Sequence, residues 1–402
     1  MKNYLHYAFL SFLSKPFDSI LILIQLFLLL SALNVSIAEY NSRAMLYEPL
    51  KEYIESPGFL CVAATDPNEE RPDLAETKLN FDRLKALGDV NLFIQKEYYD
   101  PFNSDITVII LPDDIFDKLD LPLENGSKFK SDEQGDRISV IVTPNTKGYA
   151  AGKAFNDSFG NEFEVTALFT DPTYLLRYPY DVEMSFESFY ESFDKEFYEG
   201  TPTFVTSQSM AEKLNGKSKE CIITNEQVCL LSFNSGVSDE QINKACRQLD
   251  EDKQIEFIKT SLIRKRSEKI LSDDIKRLIP AVCAFAVIVV IGLVSCSVIS
   301  AKNTMKKLVV FYCCGASKAS CALITVMQMI VICLISGILT AAALAFYSDS
   351  AYSDKIGFVF RQNNIYISIG VIAASIIISA AAPIIMTYRS QPREMLINSD
   401  EE

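Results

Sequence analysis

The sequence predicts an α-helical membrane protein with four transmembrane helices and a mixed α+β extracytoplasmic domain carried on helical stalks. Three observations predict it. One membrane-length apolar run lies near the start and three more follow residue 278. The stretch between them, residues 39–278, is mostly polar and holds short runs of strand character. Lys and Arg gather in the short connections on one side of the apolar runs.

Residues 1–17 are aromatic and apolar, with Tyr4, Tyr7, Phe9 and Phe12, and read as an amphipathic segment on the inner membrane surface. Residues 18–38 form the first transmembrane helix. Lys2 and Lys15 before it raise the alternative of a secretory signal, but the run is long, begins well into the chain and lacks a small-x-small cleavage site. Residues 279–301, 320–346 and 365–388 supply the other three helices. The apolar interiors hold no Asp, Glu, Lys or Arg, only the uncharged Gln25, Asn34 and Gln328 among larger polar residues. A proton or ion relay through this chain is therefore not expected.

Orientation follows from the connections. Residues 302–319 carry Lys302, Lys306, Lys307 and Lys318 with no acid, and the tail 389–402 begins with Arg389 and Arg393. Both termini and the 302–319 loop are expected in the cytoplasm. Four crossings then place 39–278 and the short loop 347–364 outside.

Of the 52 acidic and 38 basic residues, 45 and 28 fall between Glu39 and Leu278, giving that region a charge of −17 and the rest +3. This argues against nucleic acid as a partner and otherwise marks a soluble domain. Cys61, Cys221, Cys229 and Cys246 are outside, while Cys283, Cys296, Cys313, Cys314, Cys321 and Cys333 lie in or beside the membrane, without CxxC spacing. No metal site is expected. Cys221 and Cys229 flank Thr224-Asn225-Glu226 and could pair across a hairpin; the alternative is buried packing. His6, the single histidine, is in the cytoplasmic segment, which removes His-dependent catalysis from the outer domain.

Within the outer region, Ala44, Tyr47, Leu50, Tyr53 and Ile54 continue the first helix as a stalk until Pro57. Ile255, Ile258, Leu262, Ile275, Leu278 and Ile279 suggest a second stalk before the second crossing; ordinary surface helices are the alternative. Strands are predicted at 90–95, 106–111, 138–143, 163–169, 204–206, 221–224 and 228–233, and helices at 80–87, 113–119 and 207–214. Two subdomains divided near 120–134 and Thr201 are expected.

Gly148-Tyr149-Ala150-Ala151-Gly152-Lys153-Ala154 is one residue short of a phosphate loop and has Ala154 where a hydroxyl should be, so it reads as an ordinary loop. Glu69-Glu70, Asp113-Asp114 and Asp250-Glu251-Asp252 lack the alternating calcium-ligand pattern and read as solvated charge. Tyr174, Tyr178, Tyr180, Phe186, Phe189, Tyr190, Phe193, Phe197 and Tyr198 suit core packing better than a partner surface. Gly337, Ala341 and Ala345 in the third helix, and Gly370 with Ala374 or Ser375 with Ser379 in the fourth, have small-xxx-small spacing that permits close helix approach.

The segment Lys302-Asn303-Thr304-Met305-Lys306-Lys307-Leu308-Val309-Val310-Phe311-Tyr312-Cys313-Cys314-Gly315-Ala316-Ser317-Lys318 resembles the cytoplasmic loop of FtsX-like permeases of ABC transporters. There a basic stretch, an amphipathic helix and a Gly-Ala-Ser turn precede the next crossing. Pro383, Arg389, Pro392, Glu394 and Leu396 resemble the family's closing pattern, and the one-plus-three layout is similar to the MacB architecture. In the outer region, residues 80–90, Gly135-Asp136-Arg137-Ile138 and Phe163-Glu164-Val165 are weaker matches. Lys307 stands where the family usually has Glu, and Cys314 where Leu is common.

The resemblance implies a permease subunit that transmits ATP-driven conformational change to an extracytoplasmic domain, in a bacterial cytoplasmic membrane. The clients it implies are peptides, antimicrobials or lipoproteins, or a cell-wall partner to be activated. Met305, Lys306, Lys307, Leu308, Phe311, Tyr312, Gly315, Ala316, Ser317 and Lys318 would then meet a cytoplasmic ABC ATPase. The chain has no Walker motif, so it is not expected to be an enzyme or to hold a cofactor; ATP and magnesium belong to that ATPase. A second permease subunit, identical or not, an extracytoplasmic accessory protein or peptide client, and membrane lipid complete the expected partners. The alternative is a membrane-anchored receptor or adhesion protein with no nucleotide coupling.

Overall fold

The computed structural model describes residues 16–63, 78–85, 90–103, 106–133, 135–144, 148–171, 173–177, 184–193, 202–233, 237, 240, 242–244, 247, 255–313, 315, 317–348 and 359–389. The N-terminal aromatic segment, Glu69-Glu70, Asp250 to Asp252 and the tail beyond Arg389 lie outside them. In chain order, α1 (Pro16–Tyr47), a 3-10 turn (Glu48–Leu50) and α2 (Lys51–Glu55) precede β1 (Gly58–Ala63). Then come α3 (Phe81–Lys85), β2 (Val90–Phe93), β3 (Lys96–Tyr99), β4 (Thr107–Leu111), α4 (Asp113–Lys118), β5 (Leu123–Gly126), β6 (Ile138–Val142), β7 (Ala154–Asn156) and β8 (Glu162–Phe169). β9 (Thr173–Leu176), a 3-10 turn (Phe186–Phe189), β10 (Tyr190–Phe193), β11 (Thr203–Ser207), α5 (Gln208–Ala211), α6 (Gly216–Lys219), β12 (Ile222–Thr224), β13 (Val228–Phe233) and β14 (Ile255–Lys259) follow. The chain closes with α7 (Thr260–Cys313), α8 (Lys318–Ser348) and α9 (Gln362–Arg389).

Among the described residues, four helices are long and apolar enough to cross a membrane, at Ser19–Glu55, Thr260–Ile299, Val326–Phe346 and Gln362–Ala381. The chain divides into two compact units. One holds Met1–Asn41, Asp274–Ser353 and Phe358–Glu402; the other holds Ser42–Asp273 with Asp354–Gly357. The boundaries fall inside α1 and α7.

The helical unit is built around α1. Ile22, Leu26 and Leu29 pack with Val289 and Leu293 of α7 and with Met329, Ile332 and Cys333 of α8, while Val371, Ile372 and Ile376 of α9 close over them. These positions recur at three or four along each helix, which gives every helix one inward stripe. The opposite faces stay apolar and open, with Ile291 61 % and Ile377 70 % exposed, as suits surfaces in contact with hydrocarbon.

The other unit is a mixed α+β fold of two main sheets. The smaller has strand order β14-β1-β13-β2, and the larger runs β12-β3-β4-β11-β6-β8-β5, with β7 added beside β8. β4 pairs β11 in parallel and β6 pairs β8 in parallel. Strand character follows burial: β4 and β11 are buried at every residue, while β8 alternates buried and partly open positions along Glu162–Phe169. Phe155, Phe163, Phe204 and Tyr149 cluster over the large sheet, with Phe155 and Phe163 stacked at 5.2 Å. Strands from both sides of residues 120–134 share this one sheet.

Four local readings are corrected. Ile255 and Ile258 lie in β14, not in a helical stalk, because the alternating Ile-Glu-Phe-Ile-Lys run pairs with β1 and the helix begins only at Thr260. Past Tyr47 the first helix gives way to a 3-10 turn at Glu48–Leu50, since Pro49 lacks the N–H that an α-helix requires. Cys221 and Cys229 do not face each other across a hairpin. β12 pairs β3 and β13 pairs β2, so β12 and β13 follow one another along a ribbon that joins the two sheets, and both cysteines are free. The fourth correction concerns α7: the helix of the 302–313 segment is no separate element but the end of a helix 54 residues long.

Phe186, Phe189 and Phe193 of the aromatic stretch are buried, with Tyr47 and Phe186 in edge contact at 5.6 Å. Core packing is thus their role; Tyr178, Tyr180, Phe197 and Tyr198 lie outside the described residues.

Candidate functional site

The candidate site is the connection between α7 and α8. Cys313 ends α7, Gly315 follows with φ of 93°, and α8 starts at Lys318. A positive φ of this size is a glycine conformation, and it turns the chain out of one helix and into the next. Ser317 Oγ accepts the Ser320 N–H at 3.1 Å, a capping bond that satisfies one of the free donors at the start of α8. The two serine hydroxyls lie 2.9 Å apart.

Gly315 and Ser317 are exposed, as are Lys302 and Val310. Met305, Lys306, Lys307, Leu308, Phe311 and Tyr312 lie in the last turns of α7, and Lys318 opens α8. Their side chains, and Ala316 as a whole, lie outside the described residues. The arrangement places a helix end, a tight turn and a helix start within a few residues. Among the described residues no group of His, Cys, Asp and Glu could hold a metal ion.

The predicted small-residue positions divide. Gly337 of α8 sits against α9, where an added Cβ would stand 3.2 Å from Ile372 Cδ1. Ser375 and Ser379 are buried, and Ser379 Oγ donates to the Ser375 carbonyl. Ala341, Ala345, Gly370 and Ala374 are exposed in this chain.

Sequence reasoning missed the contacts that join α1 to the other helices. Asn34 Nδ2 donates to Ser368 Oγ at 2.8 Å, Asn364 Nδ2 donates to Asn34 O at 3.2 Å, and Asn41 Nδ2 donates to Asn364 Oδ1 at 3.0 Å. Where water is absent, such bonds replace hydration that the side chains lose. Ser336 Oγ of α8 donates to the Leu23 carbonyl. Gly292 of α7 meets Gln25 so closely that a Cβ there would lie 2.4 Å from the Gln25 amide. Asn34 and Gln25 stood out as polar residues in an apolar run, but nothing local names partners more than 250 residues away.

Two further motifs resolve as structure. Asp113 accepts from the Ser209 N–H and hydroxyl, while Asp114 accepts from Tyr53, so the pair faces different partners. In the 148–154 loop the Lys153 ammonium donates to the Gly148 carbonyl, which leaves no phosphate cradle.

Comparison with known proteins gives two findings. The family described as FtsX-like permease C-terminal matches residues 280–392, which take in most of α7, the Gly315 turn, α8 and α9. Among solved structures, the periplasmic region of MacB from Actinobacillus actinomycetemcomitans matches at 11% identity, over 55% of this chain and 96% of that one, with a TM-score of 0.28. No curated protein matches the chain. Residues 280–392 thus carry an FtsX-like permease C-terminal domain, in a chain that has, among its described residues, four membrane-length helices and a mixed α+β domain between the first and second.

Proposed function

We propose that this chain transmits ATP-driven motion from the cytoplasm to its α+β domain, without itself hydrolysing ATP. The observation that carries the reading is α7. One helix of 54 residues joins the Gly315 turn to strand β14. At about 1.5 Å per residue it is about 80 Å long, far more than the roughly 30 Å of hydrocarbon. A helix of that length moves as a lever when one end is pushed. Pro280, the single proline within it, removes one helical N–H and marks where bending is cheapest.

A cytoplasmic ABC ATPase docks on residues 302–318, in this reading, and supplies ATP, magnesium and force. The basic Lys302, Lys306, Lys307 and Lys318 keep that segment inside, which puts residues 39–278 outside the cell. The open apolar faces of α7, α8 and α9 meet lipid and a second permease subunit. Peptide, antimicrobial or lipoprotein clients, or a cell-wall partner, are engaged by the outer domain.

Purification in mild detergent from the native host tests the assignment. Recovery of a stoichiometric ABC ATPase, lost in Gly315→Pro, supports it. A chain that purifies alone in repeated preparations and whose function survives Gly315→Pro would be a receptor or adhesion protein instead.

A further inference from the structure

Cys61 lies in β1 and Cys229 in β13, and the antiparallel register sets them directly opposite one another. They are 0% and 2% exposed and share one apolar cluster with Phe59, Leu231 and Phe233. β1 and β13 are the two central strands of the small sheet, so the pair sits at its middle.

Flanking hydrogen bonds define the geometry of the pair. Ala63 N–H donates to the Gln227 carbonyl at 2.7 Å, and Phe233 N–H donates to the Pro57 carbonyl at 2.8 Å. Hydrogen-bonded pairs alternate with the other kind along an antiparallel ladder, which makes Cys61 and Cys229 a hydrogen-bonded pair. Cα atoms at such a site stand about 5.5 Å apart, within the roughly 4.4–6.8 Å that a disulfide spans. The Cβ atoms must approach from about 5.5 Å to about 3.8 Å, so the closed bond is strained and easily reduced.

We propose that Cys61 and Cys229 are a reversible dithiol site that closes as a cross-strand disulfide. When local opening of the small sheet brings the buried pair to solvent, a thiolate of one cysteine attacks an exchanging small-molecule or protein disulfide and releases one thiol from it. The second cysteine then attacks the mixed disulfide and releases the other. Two protons leave the pair, and its two electrons reduce the exchanging disulfide to two thiols. All strands of the large sheet fall between residues 61 and 229 in sequence. The bond therefore staples the neck from which that sheet is inserted, beside β14, which leads into α7. The proposal depends on the reading above only for the oxidising setting outside the cell.

The test uses the full-length protein in detergent, treated with oxidised glutathione, denatured, alkylated with N-ethylmaleimide and mapped by peptide mass. The expected result is a Cys61–Cys229 linked peptide that dithiothreitol releases, with Cys221 still alkylated. Full alkylation of Cys61 and Cys229 after oxidation, or a link from Cys229 to Cys221, would overturn the proposal. Oxidation is also expected to raise the Tm of the wild type and leave that of the Cys61→Ala/Cys229→Ala variant unchanged; an equal rise in both would overturn it as well. Peptide mapping on the wild type decides alone if the double variant does not fold. An error in the proposed topology would show in labelling of residues 302–318 and leave this result intact.

Discussion

Asn364 of α9 reaches across to Asn34 of α1, its Nδ2 donating to the Asn34 carbonyl at 3.2 Å and approaching its Oδ1 at 3.3 Å. Asn41 and the Arg361 N–H both donate to Asn364 Oδ1. One side chain thus ties α1 to the start of α9. Asn364→Leu removes the donor to the Asn34 carbonyl and Oδ1 and the Oδ1 acceptor of the Asn41 amide, and a loss of about 1–2 kcal/mol is expected. Denaturant unfolding in detergent measures it, and a variant as stable as the wild type would show the ladder to be idle.

Gly292 and Gln25 give a packing test. A side chain at position 292 has to displace the Gln25 amide, which is flexible enough to yield to a methyl group but not to a larger branch. Gly292→Ala should be tolerated, whereas Gly292→Leu should cost about 1–3 kcal/mol. Adding Gln25→Ala should recover much of that loss, so the two changes should be non-additive in a double-mutant cycle.

At Gly315, φ of 93° imposes a cost of about 1–2 kcal/mol on any residue with a Cβ, although the surrounding space is open. Gly315→Ala should therefore lower the Tm slightly while weakening ATPase recovery more than Ser317→Ala does. Quantitative co-purification of the three proteins compares them, and equal recovery would separate the turn from docking.

Acid sensitivity should arise partly at Asp100. Burial opposes its ionisation, yet the Ser158 and Phe102 N–H donors at 2.7 and 3.0 Å outweigh burial and hold its pKa below the ordinary value of 3.8. The folded form therefore binds this proton less readily than the unfolded chain. Its contribution is in place above about pH 4 and is lost as pH falls through the lower folded value. Asp100→Asn should reduce stability at neutral pH and flatten the acid limb of a pH-stability curve. An acid limb as steep as that of the wild type would assign the sensitivity to other carboxylates.

The apolar runs were legible because membrane helices are specified by length and composition alone, with no need of a partner. β4, β6, β8, β11 and β13 were legible for a related reason, their β-branched and aromatic content marking buried strands. β3 was not, since Lys96 and Glu97 offset the strand preference of Tyr98 and Tyr99 and the run is held by pairing with β4 and β12. β14 was misread because Ile255 and Ile258 satisfy a helical spacing as well as their place beside β1, and only the partner decides. Within the candidate site, Gly315 was visible from its neighbours in sequence. The Asn34, Asn41 and Asn364 ladder was not, because it joins residues more than 300 positions apart.

Hydrogen exchange of the protein in complex with the proposed ATPase, with and without ATP and vanadate, is the most direct test of transmission along α7. The account predicts altered exchange at residues 302–313 and, in the same samples, at residues 260–273 at the other end of the helix. A change confined to 302–313, with 260–273 and the two sheets unaltered under turnover, would contradict it.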